Sequence, residues 1–300
     1  MNDISPIVAG VDGSASSHDA VRWAASEAVL RRVPLLLVSS YPPAADYLGY
    51  GPLPRSFFVD REVEGKHLLS EAAKIGAEAV RGHGTVSIQI QLLSGPPIPR
   101  LLEHSHSAKM VVLGSRGLGE FTGGFLGSVS TAVATHAHCP VVVVRGLPDP
   151  EAPVLDGPVV VGVDGSMNSE PAIAAAFEEA SLREADLTAV HAWSDYNLST
   201  ILGVGTTDIE PYWPAIETGE EVVLAESMAG WKGQYPDVSV RRIVVKDRPV
   251  RNLLRQAETA QLLVVGSRGR GGFAGMVLGS TSRALLHKAE CPLMVVRSPR

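Results

Sequence analysis

Short runs of aliphatic and β-branched residues recur along the chain. Between them lie longer stretches whose apolar positions fall three and four apart. Runs such as 35–38, 141–144 and 262–265 are the length of buried strands, well short of the roughly 20 apolar residues that span a bilayer. Strand-sized runs alternating with helical periodicity predict βαβ units and a mostly parallel sheet. In the first half the strands fall near 6–12, 34–41, 86–93, 109–114 and 140–145, with helices near 17–32, 60–81, 97–107 and 128–138. The second half repeats the strands at about 158–164, 186–193, 238–245, 261–266 and 292–297, with its helices at matching offsets. Each half therefore reads as an open, doubly wound five-stranded layer.

The halves agree residue by residue. A shift of 152 positions carries Val11-Asp12-Gly13-Ser14 onto Val163-Asp164-Gly165-Ser166 and Gly114-Ser115-Arg116-Gly117 onto Gly266-Ser267-Arg268-Gly269. It also carries Leu126-Gly127-Ser128 onto Leu278-Gly279-Ser280, and Cys139-Pro140 onto Cys291-Pro292. Such a period is too long for a solenoid, whose units run roughly 20 to 50 residues, but it is the usual size of one domain. Two homologous domains are expected, at 1–147 and 158–300, joined by a proline-rich linker at 148–157.

Two segments, 42–59 and 194–217, are long and rich in glycine and proline. Such segments are either covering loops or surface excursions. Tyr41, Tyr47, Tyr50, Trp193, Tyr196 and Trp213 favour loops that cover something.

The 300 residues carry a formal net charge of −6, with a pI near 5.9. That balance argues against a non-specific grip on nucleic acid, which needs a basic surface. No apolar stretch suggests membrane insertion, and the first residues have neither a basic nor an apolar region of the secretory kind, so a cytoplasmic protein is expected. Cys139 and Cys291 each precede a proline and an apolar strand, and read as small buried residues. His136, His138 and His287 near them resemble a metal cluster only superficially.

Two constellations carry chemistry. The first is Gly114-Ser115-Arg116-Gly117, then nine residues, then Gly127-Ser128-Val129-Ser130, placed after a predicted strand and opening a predicted helix. Glycines, successive amides and a helix start together suit an oxyanion. Turns and helix packing need glycine too. Ser128 and Ser130 are either helix caps or hydroxyl donors to phosphate. The second half repeats the set as Gly266, Ser267, Arg268, Gly269, Gly279, Ser280, Thr281 and Ser282. The second constellation is Asp12 and its repeat Asp164, at the carboxyl end of the first strand, where open α/β sheets bind ligands. A turn or cap role is the alternative there.

No Walker A lysine, Gly-x-Ser-x-Gly elbow or HExxH helix occurs, and neither a general base nor a nucleophile announces itself. The run from Gly269 to Ala274 matches a dinucleotide fingerprint by letters, in the wrong place in the domain.

Through these two constellations the chain resembles the universal stress protein family over essentially its whole length, and the glycine spacing resembles that of the ATP-binding branch. The resemblance implies two tandem flavodoxin-like domains, also described as adenine nucleotide α-hydrolase-like, with strand order 3-2-1-4-5. It implies ATP as ligand, with Mg²⁺ as an ion that can accompany the phosphates. Gly10 and Asp12 would border the nucleoside, Val38 and Ser39 would meet adenine, and Gly114, Ser115, Arg116, Gly117, Gly127, Ser128, Val129 and Ser130 would hold ribose and phosphates. Gly162, Asp164, Val190, His191, Gly266, Ser267, Arg268, Gly269, Gly279, Ser280, Thr281 and Ser282 would do the same in the second domain. Asp195 is a further candidate there, facing Pro43 in the first repeat. The resemblance also implies dimers, through pairing of last strands, and a regulatory role in stress response and growth restraint under conditions such as hypoxia. A slow ATPase or nucleotide-hydrolysing enzyme of the same fold is the alternative.

Overall fold

The computed structural model describes residues 5–41, 55–117, 126–146, 157–194, 205, 209–270 and 278–298. The chain forms two compact units that divide between Asp149 and Pro150.

In the first unit the elements run β1 (Ile7–Gly10), α1 (Ala15–Arg31), β2 (Leu35–Tyr41), α2 (Arg55–Ala79), β3 (Ile88–Ser94), α3 (Pro97–His104), β4 (Met110–Gly114), α4 (Ser128–His136) and β5 (Val141–Val144). The sheet order is β3-β2-β1-β4-β5, the order expected, and every pairing is parallel. The order reverses between β1 and β4, so their carboxyl ends open a crevice of the kind in which doubly wound sheets bind ligands.

The second unit repeats this with β6 (Val159–Val163), α5 (Glu170–Leu182), β7 (Leu187–Trp193), α6 (Trp213–Ala229), the short α7 (Trp231–Gln234), β8 (Val240–Lys246), α8 (Pro249–Ala257), β9 (Leu262–Gly266), α9 (Ser280–Lys288) and β10 (Leu293–Val296). Its order is β8-β7-β6-β9-β10, again parallel throughout.

Val141 to Val144 and Leu262 to Val265 are buried at every position, as a parallel sheet requires. These strands are apolar because helices cover both faces of each sheet. The edge strand β3 exposes Gln89, Ile90 and Gln91. Helix α1 packs against β1 and β4 and carries a buried charge, Glu27, whose carboxylate accepts from Arg31 one turn later. The same pair recurs in α5 as Glu179 and Arg183, at 3.0 Å.

Both long connections are shorter than the sequence suggested. Helix α2 begins at Arg55 and α6 at Trp213, inside segments read as loops. One of the prolines that prompted that reading, Pro214, occupies the first turn of α6. Proline is well tolerated there, because the first amides have no intrahelical partner. Tyr47, Tyr50 and Tyr196, residues 148–156 of the expected linker, and Asp195 lie outside the described residues.

Candidate functional site

Strand β1 ends in a tight turn that its own residues close. Asp12 Oδ1 accepts from the Ser14 amide at 3.0 Å and from the Ser14 hydroxyl at 2.6 Å. Gly13 between them has φ +83°, a left-handed backbone that glycine adopts without steric cost. Ser14 then caps α1, accepting from the Ser17 amide at 3.2 Å. The aspartate is thus a turn residue, as one reading of the sequence had it. It is also a wall of the crevice.

The turn is clamped to the end of β4. A β-carbon on Gly114 would lie 2.6–2.7 Å from the Ser16 backbone, so only glycine lets α1 approach so closely. The Ser16 hydroxyl donates to the Arg116 carbonyl. Gly117 stands against Asp12, and a β-carbon there would be 2.8 Å from Oδ2.

At the start of α4 the cap is Gly127, whose amide donates to the Ser115 carbonyl at 2.8 Å. Neither Ser128 nor Ser130 caps the helix. The buried Ser130 hydroxyl donates to the Gly114 carbonyl at 2.6 Å, which joins α4 to β4. The amides of residues 128–130 lack intrahelical acceptors by position and sit at the positive end of the helix.

These pieces surround a cavity of about 790 Å³. Of the residues singled out from the sequence, Gly10, Asp12, Val38, Ser39, Gly114, Arg116, Gly117, Gly127, Ser128, Val129 and Ser130 all line it. Ser115 does not. It is buried beneath the loop, and its hydroxyl has no hydrogen-bond partner among the described residues.

The rest of the wall, apart from Tyr41, was not singled out. Arg61, Glu64, Gly65 and Leu68 come from α2, Pro97, Arg100 and Leu101 from α3, and Tyr41 from β2. Leu68, Leu101, Leu113 and Val38 make an apolar part, whereas the loop and the α4 amides make a polar end. Both arginines are already paired, Arg61 with Glu64 at 2.6 Å and Arg100 with Glu103 at 3.0 Å.

The second unit builds the same clamp and lines its crevice with different side chains. Asp164 Oδ1 accepts from the Ser166 amide and hydroxyl at 3.0 and 2.7 Å, and Gly165 has φ +71°. A β-carbon on Gly269 would lie 2.8 Å from Asp164 Oδ2, which accepts from the Arg270 amide at 2.6 Å. The Gly279 amide donates to the Ser267 carbonyl at 2.7 Å, and the Ser282 hydroxyl to Gly266 at 2.6 Å, so Ser282 joins α9 to β9 as Ser130 joins α4 to β4. Ser280 is exposed at the start of α9, with Thr281 half-buried beside it. Arg268 has a buried Nε without a hydrogen-bond partner among the described residues.

On the β7 side Gly162 pairs with Val190, and Val163 with His191. Where the first unit has Ser39, the second has His191, buried, with Nδ1 2.8 Å from the Val163 carbonyl and Nε2 2.6 Å from Glu220 of α6. The Arg270 guanidinium lies over Gly165 and 3.9 Å from the same Glu220. Side chains of β7, α6 and the segment after β9 therefore meet one another.

Away from both crevices, burial pushes the Cys139 thiol up to about 12 and the Cys291 thiol up to about 11. Among the described residues no three His, Cys, Asp or Glu side chains cluster in a way that could hold a metal ion. No described helix is long and apolar enough to cross a membrane.

Comparison with known proteins gives a consistent result. The sequence model of the universal stress protein family matches residues 4–145 and again residues 157–297. The universal stress protein Rv2623 of Mycobacterium tuberculosis is 41% identical over 295 residues, covering 97% of this chain and 96% of its own. Rv2005c of the same organism is 42% identical over 302 residues, with the same coverage of both chains. Among solved structures, a universal stress protein from Archaeoglobus fulgidus superposes with a TM-score of 0.68 at 21% identity, covering 97% of this chain and 96% of that one. At that identity the likeness speaks to the fold.

Proposed function

Since the chain belongs to the universal stress protein family, with one family domain in each half, we propose that it is a nucleotide-binding regulator whose first domain holds ATP in the crevice between β1 and β4. One observation carries this reading. A cavity of about 790 Å³ joins an apolar wall, suited to a base, to the unpartnered amides at the start of α4, suited to phosphates. Its volume falls within the range of small-molecule sites, roughly 300–1,000 Å³.

In this reading the residues divide by position. Val38 and Ser39, in the middle of β2, and Leu101 and Leu113 flank the base. Asp12 and Gly10 border the ribose, and the backbone of Gly117 and of residues 127–130 meets the phosphates, with Arg116 as a mobile cation beside them. Ser115 acts from beneath, as support for the loop. ATP brings its own phosphate oxygens to any Mg²⁺, and the carboxylates at the cavity, Asp12 and Glu64, are each already engaged by neighbours. Asp164, Val190, His191 and the loop residues 266–269 and 279–282 form a related second site, which Glu220 and His191 make unlike the first.

A regulatory role in stress response and growth restraint is the expectation for a family member, and a cytoplasmic homodimer is the form proposed for it. The competing reading is a slow ATPase. Asp12 is the carboxylate nearest the phosphate end, and its Oδ1 already accepts two hydrogen bonds, which disfavours it as a general base. Mass spectrometry of the purified protein, with calorimetric titration by ATP, tests the proposal. Co-purified adenine nucleotide or saturable ATP binding is the expected result. No nucleotide and no binding would refute it, and steady phosphate release would favour the enzyme.

A further inference from the structure

The outer face of α8 carries a concentration of positive charge that the chain's acidic balance does not foreshadow. Arg251 and Arg255 stand about one turn apart on α8, Arg248 directly precedes it, and Lys288 at the end of α9 closes the group. The four border one groove of about 630 Å³, with a single carboxylate, Glu258, among them. All four cations are exposed, and among the described residues none of their side chains makes an ion pair or hydrogen bond. Like charges gathered without counter-ions repel one another, and each is stabilised by an anion placed between them.

The duplication supplies an internal reference. At the positions 152 residues earlier the first domain has Pro96, Pro99, Glu103 and His136, so none of the four lysines and arginines has a counterpart there. Structural upkeep of the α8–α9 packing therefore does not require them.

The backbone points the same way. Asp247 and Arg248 are consecutive non-glycine residues in the left-handed region, with φ +58° and +51°. The first domain has Gly95 and Pro96 here. Side chains in that region are sterically disfavoured and persist where something else holds them. Here the strain places Arg248 on the groove.

We infer that this groove is a second anion site, separate from both crevices, that takes a short phosphate chain. Guanidinium groups bind phosphate oxygens through paired donors, and three of them beside one ammonium match several linked phosphates better than an isolated one. The free inorganic chain and the phosphate tail of a nucleotide share this chemistry. The site does not depend on the nucleotide reading of the first domain.

The test is calorimetric titration of the full chain with inorganic tripolyphosphate, in parallel on wild type, R251E/R255E and G117V. Wild type is expected to show a binding event that R251E/R255E weakens at least tenfold and that G117V retains, whatever heat G117V removes from the first-domain crevice. R251Q/R255Q, which removes charge without reversing it, should also weaken binding, with thermal unfolding verifying that each variant folds. AMP, with one phosphate, should bind the groove far more weakly than tripolyphosphate, and ATP competing for the same heat would identify the nucleotide tail as the source. No binding by wild type, equal binding by both arginine variants, or loss of binding in G117V alone would overturn the inference. So would hexaglutamate binding as tightly as tripolyphosphate, since that would make the groove a surface for acidic protein segments.

Discussion

His191 Nε2 lies 2.6 Å from Glu220 Oε2, a contact that bridges the end of β7 and helix α6 in the second domain. At the same positions 152 residues earlier stand Ser39 and Leu68, which line the open cavity of the first domain. Duplicated sites thus differ at the wall, while the glycines of the loop are shared. For ligand to replace the second arrangement, a buried imidazole must give up its carboxylate partner, at a cost the first domain does not bear. Calorimetry with ATP is therefore expected to give one tight site per chain in wild type. H191S/E220L, which installs the first domain's residues, should add a second site of comparable affinity. Two equal sites in wild type would sink the argument.

The Asp12–Gly117 contact sets the next expectation. With Oδ2 2.8 Å from where a β-carbon would stand, Gly117→Val must push either the aspartate or the loop aside. Since α4 and the Ser130–Gly114 hydrogen bond are untouched, the fold should survive while the phosphate end is displaced. ATP affinity should fall by about tenfold or more, equivalent to ~1.4 kcal/mol, with an unchanged thermal midpoint for the domain. Unchanged affinity in the folded variant would remove the loop from the site.

Why some of this was legible in the sequence, and some not, follows from how each feature is encoded. Strand order and both clamps rest on local signals: apolar runs such as 141–144, the turn glycine Gly13, the close-approach glycine Gly114. The cavity's α2 and α3 walls carry no such mark, because Leu68 and Leu101 are ordinary apolar helix positions until the fold aims them at β1. The Ser130 hydroxyl was ambiguous for a related reason. Its acceptor, the Gly114 carbonyl, lies 16 residues away in sequence and becomes a neighbour only when α4 docks on β4. Proline was misleading at 214, since helix starts and loops use it alike.

The buried charge on α1 should matter to stability more than any surface pair. Glu27 is 1% exposed and its partner Arg31 nearly as buried. Removing one partner leaves the other charge in a low-dielectric interior, which typically costs about 3–5 kcal/mol. Glu27→Ala should therefore lower the first domain's unfolding midpoint in urea markedly, whereas Glu62→Ala, which breaks an exposed pair with Lys66, should change it little. Equal effects would show that the pair is solvated in solution.

The two thiols give a pH-dependent expectation. Burial raises Cys139 to about 12 and Cys291 to about 11, above the ordinary thiol value of 9.0. Folding thus favours the protonated thiol, so this contribution to stability is complete below pH 9 and lost as the pH climbs through 11 to 12. The thiolate is the reactive form, and at pH 8 a thiol titrating near 11 is ionised to only about one part in a thousand. Native protein at pH 8 should therefore react with iodoacetamide far more slowly than a free cysteine, and both residues should label promptly once urea unfolds the chain. Fast native labelling of Cys291, which directly precedes the β10 strand region, would mean that β9 and β10 separate readily, and would assign the second domain's sheet a low local stability rather than a reactive cysteine.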